Sequence, residues 1–230
     1  MELRSHIGKS LKKFRVIEGG CYDNGYYYLI FGNMKRKTSK IVKLKAGKKK
    51  KVVAISGTLK VGHANDCCVH KGVIYITHSG KKSLIHRVSA SSLKKLADIK
   101  VKGCKGGFNA ITCFGKGFLL KKIGSRKCYV VDAGFHYKST ITLSKTYKVG
   151  QGMTWYNGRL YRASSVGQSK KSKVAVYNAK GKLLKTYYYK HKCEIEDVFI
   201  VDGKIKVSYY KKRKKPKKKF EAYIVSLGRV

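Results

Sequence analysis

Short apolar runs broken by glycine turns set the pattern of this 230-residue chain. Within a run the side chains alternate. In Val73-Ile74-Tyr75-Ile76-Thr77 the two isoleucines fall on one face and Tyr75 and Thr77 on the other, as on a half-buried strand. β-Branched and aromatic runs bounded by Gly, Asn and Asp predict strands and tight turns throughout. Ser91 to Leu96 has the composition of one helical turn, but no stretch sustains a 3.6-residue period. A larger pattern repeats. A short polar lead-in enters a strand, a glycine turn follows, and a second strand leaves. It occurs at residues 20–29, 62–77, 107–120, 151–161 and 194–205. The turn glycines are Gly25, Gly72, Gly117, Gly158 and Gly203. They recur at roughly 45 residues, the period of propeller blades. Asn24-Gly25, Asn157-Gly158 and Asp202-Gly203 suit type I′ hairpins.

Five such units predict an all-β chain folded as one five-bladed β-propeller over residues 1–230. The blades fall at about 20–56, 62–101, 106–143, 150–189 and 193–230. Four of them have room for four strands. The fifth has Val198–Val201, Lys204–Tyr209 and Phe220–Val225, and then the chain ends. Residues 10–17, with Leu11, Phe14 and Val16, are a spare apolar segment. Placed beside Phe220–Val225, they complete the last blade and remove two open edges.

Charge changes the picture next. The chain carries 54 Lys and Arg against 11 Asp and Glu, a formal net charge of +43. Such a surface attracts polyanions at long range. It is either a solvated coat or a surface for an anionic wall polymer, an anionic membrane or nucleic acid. The densest run is Lys211, Lys212, Arg213, Lys214, Lys215, then Lys217, Lys218 and Lys219. It lies in a hairpin loop of the fifth unit. A lysine run holds phosphates without reading bases, and no helix-turn-helix or zinc-finger pattern accompanies it. Nucleic-acid binding, if present, is therefore non-specific.

The seven cysteines are odd in number and contain no Cys-x-x-Cys pair, which argues against a metal cluster or disulfide lattice. Those on inner-strand segments are expected as small buried side chains. No run approaches 18 apolar residues, so no transmembrane helix is expected. The first ten residues have no apolar core and do not read as a signal peptide. A monomer is the expected state.

In a propeller the first strand of each blade lines the channel, so the polar lead-ins converge on one mouth. Here they supply Cys21, Asp23, His63, Asn65, Asp66, Asn109, Gln151, Glu194, Glu196 and Asp197. Three readings follow. The polar groups hold water and neighbouring amides. Alternatively His63, Asn65, Asp66, Asn109, Gln151, Glu194 and Glu196 bind a glycan or similar polar ligand. In the third, Glu194 or Glu196 acts as general acid and Asp66 as base or nucleophile, because glycoside hydrolysis needs two opposed carboxyls. No cofactor is indicated, although a hard cation such as Ca²⁺ suits this oxygen-rich set. Trp155 is expected between blades, and Tyr187-Tyr188-Tyr189 either on the rim of the mouth or in an outer strand.

The combination of Gly20-Cys21-Tyr22-Asp23-Asn24-Gly25, Gly62-His63-Ala64-Asn65-Asp66, Gln151-Gly152-Met153 and Glu194-Ile195-Glu196 resembles propeller-like surface proteins of Gram-positive bacteria. These are of clostridial type and distantly helveticin-like. The resemblance covers most of the chain. It implies an extracellular or wall-associated propeller and carries no catalytic mechanism; the expected partners, a glycan at the mouth and an anionic polymer such as teichoic acid on the lysine surface, come from the polar lead-ins and the +43 charge.

Overall fold

The computed structural model describes residues 11–230 except 12, 15, 34, 36, 48–50, 79, 81, 168–169 and 213–219. Among the described residues, nineteen strands run in chain order around a ring. The first blade is β1 (Val16–Asp23), β2 (Tyr26–Asn33), β3 (Thr38–Lys45) and β4 (Lys51–Ile55). The second is β5 (Ala64–His70), β6 (Val73–His78), β7 (Leu84–Ser89) and β8 (Lys95–Lys100). The third is β9 (Phe108–Phe114), β10 (Gly117–Lys122), β11 (Lys127–Val131) and β12 (Tyr137–Thr142). The fourth is β13 (Gly150–Tyr156), β14 (Arg159–Ser164), β15 (Lys171–Asn178) and β16 (Leu183–Lys192). The fifth is β17 (Glu194–Val201), β18 (Lys204–Lys212) and β19 (Phe220–Arg229). Each blade is an antiparallel meander, and one backbone pair, His78 with Phe108, joins the second sheet to the third. The protein is a five-bladed β-propeller. Among the described residues no helix is long and apolar enough to cross a membrane.

Local sequence sets the hairpins. Each first strand turns into the second through two residues. In four blades these are Asn24-Gly25, Lys71-Gly72, Asn157-Gly158 and Asp202-Gly203, all at positive φ. That is the type I′ geometry, which matches the strand twist. In the third blade the positive-φ glycine is Gly115, not the expected Gly117. Gly117 opens β10, where a Cβ would strike the Val131 carbonyl.

Five apolar clusters lie between successive blades. Ile30, Ile41, Ile74 and Ile76 join the first to the second. Phe108, Phe118, Ile85 and Tyr75 join the second to the third. Leu119, Cys128, Leu160 and Tyr177 join the third to the fourth, where Trp155 also packs edge-on against Phe114. Val174, Val176, Ile195 and Val207 join the fourth to the fifth. Tyr27, Leu29, Phe199 and Val201 join the fifth to the first. Innermost strands are therefore packed on both faces: Ala64 through Cys68 of β5 are all buried. The outermost β8 and β12 are mostly exposed. Tyr187-Tyr188-Tyr189 lie in outermost β16 rather than on the mouth.

The closing strand needs correction. Val16 and Ile17 pair with Gly32 and Phe31, so they begin β1 and the first blade starts before Gly20. Among the described residues none of 11–17 pairs with β19, and the fifth sheet has three strands. The eight-residue β2 explains this, because it needs a partner as long as itself and β1 takes residues 16–23 to supply it. Leu11 and Phe14 are joined by a turn, Phe14 N–H to Leu11 O, and are buried against the Phe199, Val201, Ala222 and Ile224 cluster. The segment closes the seam by apolar packing instead of by a ladder.

Candidate functional site at the channel mouth

Each innermost strand breaks register once, near its start. The shifts fall between Ile17 and Gly19, Ala64 and Asp66, Phe108 and Ala110, Gly150 and Met153, and Ile195 and Asp197. The residues left over are Glu18, Asn65, Asn109, Gln151 (with Gly152) and Glu196. A bulge re-aims the extra side chain and breaks the alternation. All five re-aimed side chains line one cavity of about 420 Å³. His63, Glu194 and Tyr210 complete its polar wall, and Val16, Ile123 and Val149 its apolar part. Among the described residues no lysine or arginine lines it.

The cavity has two unlike sides. On the first and fifth blades sit three carboxyl groups. Glu18 Oε2 lies 2.6 Å from His63 Nε2. That hydrogen bond raises the His63 pKa, with burial working the other way. Glu194 accepts a hydrogen bond from the Tyr210 hydroxyl at 2.8 Å. Glu196 is 4% exposed. Burial, and then the charges of Glu194 and Glu18, push its carboxyl well above the usual range. The second, third and fourth blades supply amides. Asn109 Nδ2 donates to the Gly150 carbonyl at 2.8 Å, while its Oδ1 is buried and, among the described residues, without a partner. Gln151 Nε2 donates to Ser165 Oγ at 3.4 Å.

Beneath this floor two carboxyl groups tie the ring together. Asp66 and Asp197 are both 0% exposed. Asp66 Oδ1 accepts from Cys67 N–H at 2.7 Å, and its Oδ2 accepts from Ile111 N–H at 2.8 Å and Met153 N–H at 3.2 Å. Asp197 accepts from Val198 and Gly20 N–H, each at 2.7 Å. The two side chains hydrogen-bond to each other. Burial raises both pKa values, so the pair holds a proton that ordinary aspartates would lose. All five blades meet at this pair. It fits only because glycines stand around it: a Cβ at Gly152 would run into the Asp197 carboxyl, and one at Gly19 into the Asn65 carbonyl.

Six of the seven expected ligand-binding residues thus lie together on the mouth: His63, Asn65, Asn109, Gln151, Glu194 and Glu196. Asp66 does not. It sits under the floor with its oxygens turned to backbone amides, as does Asp197. Cys21 and Asp23 fall near the hairpin end of β1, away from the mouth. Cys21 meets Cys67, whose thiol donates to it at 3.3 Å, and Cys68 donates to Cys113. Glu18 and Tyr210 were not anticipated. The carboxylate directly before Gly19-Gly20 is the signal for Glu18, since two glycines there mark a close backbone approach. For the lysine run, Lys211 and Lys212 end β18, and Arg213, Lys214, Lys215, Lys217, Lys218 and Lys219 lie outside the described residues. Among the described residues no three His, Cys, Asp or Glu side chains are grouped to hold a metal ion.

The fold is shared with solved proteins. A glutaminyl cyclase from Myxococcus xanthus superposes with a TM-score of 0.64 at 10% identity, over 93% of this chain and 92% of that one. CoXyl43, a GH43 β-xylosidase/α-arabinofuranosidase from a compost microbial metagenome, superposes with a TM-score of 0.61 at 9% identity, over 94% and 92%. Hydrazine synthase from Kuenenia stuttgartiensis gives 0.51 at 14% identity, over 94% of this chain and 64% of that one. The likeness is one of fold. No protein-family model matches the chain, and no curated protein does.

Proposed function

We propose that the protein is a binding module that takes a glycan unit in its channel mouth and rests on an anionic wall polymer through its lysine-rich surface. One observation carries the first half. Five bulges, one per blade, aim five hydrogen-bonding side chains into one cavity that no Lys or Arg lines among the described residues. A phosphate or carboxylate would meet the carboxylates of Glu18 and Glu194 there and be repelled. A hydroxyl-rich ligand meets both donors and acceptors. The +43 charge supports the second half, with teichoic acid ahead of nucleic acid because nothing in the chain reads bases. The resemblance to Gram-positive surface proteins supports a place at the cell surface.

A second reading has its own support. Glu196 keeps its proton beside Glu194 and Glu18, and two unlike carboxyls are what a glycosidase uses. In that reading Glu196 is the acid and Glu194 or Glu18 its partner. Asp66 is withdrawn from it, because its oxygens are occupied by three backbone amides. The test is a glycan array with wild type and Glu196→Gln, followed by a hydrolysis assay on every hit. Binding without turnover supports the module. Turnover that Glu196→Gln abolishes makes the protein an enzyme.

A further inference from the structure

We propose that the mouth is built for a ligand bearing a protonated amine, its ammonium against Glu196 and Glu194 and its hydroxyl or carbonyl groups against Asn109 and Gln151. The proposal rests on the glycan reading and narrows it to amino sugars with a free amine.

The hydrogen-bond inventory of the cavity leads there. Of its three carboxyl groups, Glu18 is engaged by His63 and Glu194 by Tyr210. Glu196 is buried to all but 4%, lines the cavity, and receives no hydrogen bond or ion pair among the described residues. The Asn109 Oδ1 is likewise buried without a donor. Buried polar groups in folded proteins nearly always have partners, so an acceptor left open on a cavity wall marks what the cavity lacks. What it lacks is donors. An ammonium offers three and accepts none. Phosphate and carboxylate ligands offer none.

The placement of charge agrees. The three carboxyls share the fifth and first blades, and the amides of Asn65, Asn109 and Gln151 face them from the other three. A ligand with a cationic end and a neutral polar end fits that division. The lysine coat does not forbid it. Exposed charges are screened beyond about 8 Å at physiological salt, whereas carboxyls in a cavity wall act at contact and are screened less.

A proton balance follows. With the mouth empty, burial and the neighbouring carboxyls of Glu194 and Glu18 favour the protonated form of Glu196. An ammonium beside it favours the carboxylate, so the ligand enters as the cation and the proton leaves to solvent. Each binding event then releases up to about one proton.

The test uses the full chain and two probes on one skeleton, chitotetraose with free amines and its fully N-acetylated counterpart. Both are titrated calorimetrically at about pH 6, below the usual range of an α-amine, in two buffers of different ionisation enthalpy. The free-amine probe is expected to bind about tenfold tighter or better, as a charge-assisted hydrogen bond allows, with proton release. Glu196→Gln should abolish both the preference and the release, so that the two probes bind alike. Equal affinities, or a preference for the N-acetylated probe, overturn the ammonium proposal and leave the glycan reading standing. Failure of both probes, with no glycan-array hit, overturns both readings. Tight free-amine binding that survives Glu196→Gln places the amine elsewhere and also overturns it. Proton release in the wild type is decisive even if the variant does not fold.

Discussion

The sharpest consequence of the structure concerns the proton held between Asp66 and Asp197. In Asp197→Asn the side-chain amide stands in for a protonated acid and still donates to Asp66. The variant loses one acceptor, so either Val198 N–H or Gly20 N–H goes unpaired. That costs about 1–3 kcal/mol. Its larger effect is on pH dependence. An unfolded aspartate titrates near about 3.9. Both folded pKa values are raised, so the native state holds protons that the unfolded chain has released. The resulting stability is fully present below the unfolded value. It is lost as pH rises through the folded values, at about 1.4 kcal/mol per pH unit for each extra proton. Asp197→Asn removes a titrating group from the pair. Urea denaturation of both proteins between about pH 4.5 and pH 7.5 should show wild type losing stability relative to the variant as pH rises, with the gap closing or reversing near neutrality. Parallel curves would refute the shared proton. Asp66→Ala is the control for the other half of the reasoning. It strands three buried amides, those of Cys67, Ile111 and Met153, at about 1–3 kcal/mol each. Against a domain stability of about 5–15 kcal/mol, soluble folded protein should be scarce at any pH.

Other outcomes follow from single contacts. Gly152→Ala pushes a methyl into the Asp197 carboxyl and should cost about 1–3 kcal/mol in urea denaturation. Phe14→Ala opens the seam between the fifth and first blades; the residue is 8% exposed, and the expected loss is about 3–5 kcal/mol by thermal or urea unfolding. Among the thiols near the channel, Cys113 should be alkylated first, by mass spectrometry after brief iodoacetamide treatment. Its pKa is lowered by the Cys68 hydrogen bond, whereas burial raises those of Cys21, Cys67 and Cys68. Retention on teichoic acid should fall steeply as salt rises from about 0.05 to 0.2 M, the range over which phosphate contacts release their counterions.

The repeat was legible because it rests on local chemistry. Asn24-Gly25, Asn157-Gly158 and Asp202-Gly203 dictate their own turns, and the alternation of Ile74 and Ile76 dictates a face. What escaped depends on register. Strict alternation puts Glu194 and Glu196 on one face and Asp197 on the other, and both glutamates do line the mouth. The shared polar lead-in makes neighbours such as Asn65 and Asp66 look equivalent as mouth residues, because no single-strand pattern shows where a bulge falls. The bulge after Ala64 sends Asn65 up to the cavity and lets Asp66 drop beneath it. The start of β1 escaped for a related reason. Glu18-Gly19-Gly20 resembles a loop in composition. The glycines are there because the Asn65 and Tyr28 carbonyls come too close for a Cβ. The closing strand failed because Leu11 and Phe14 satisfy an apolar seam as well as they satisfy a strand edge.

The distribution of acidic residues joins these observations. Only 11 Asp and Glu accompany 54 Lys and Arg, so a carboxylate at the surface would find a cation almost anywhere. Yet Glu18, Asp66, Glu194, Glu196 and Asp197 all stand on the innermost strands, with no Lys or Arg hydrogen-bonded to them among the described residues, and burial disfavours the charge of Asp66, Glu196 and Asp197. Two depths divide the work. At the lower one, Asp66 and Asp197 are answered by backbone amides from several blades, and removing them should cost the fold. At the upper one, Glu196 is answered by nothing in the described chain, and replacing its carboxyl should cost the fold little. A purely structural role for the channel predicts equal sensitivity at both depths. A ligand site predicts that Glu196→Gln melts at or above the wild-type temperature while Asp66→Ala does not fold, since an unpaired buried acid destabilises the empty protein. A Glu196→Gln melting temperature several degrees below wild type would return Glu196 to the scaffold.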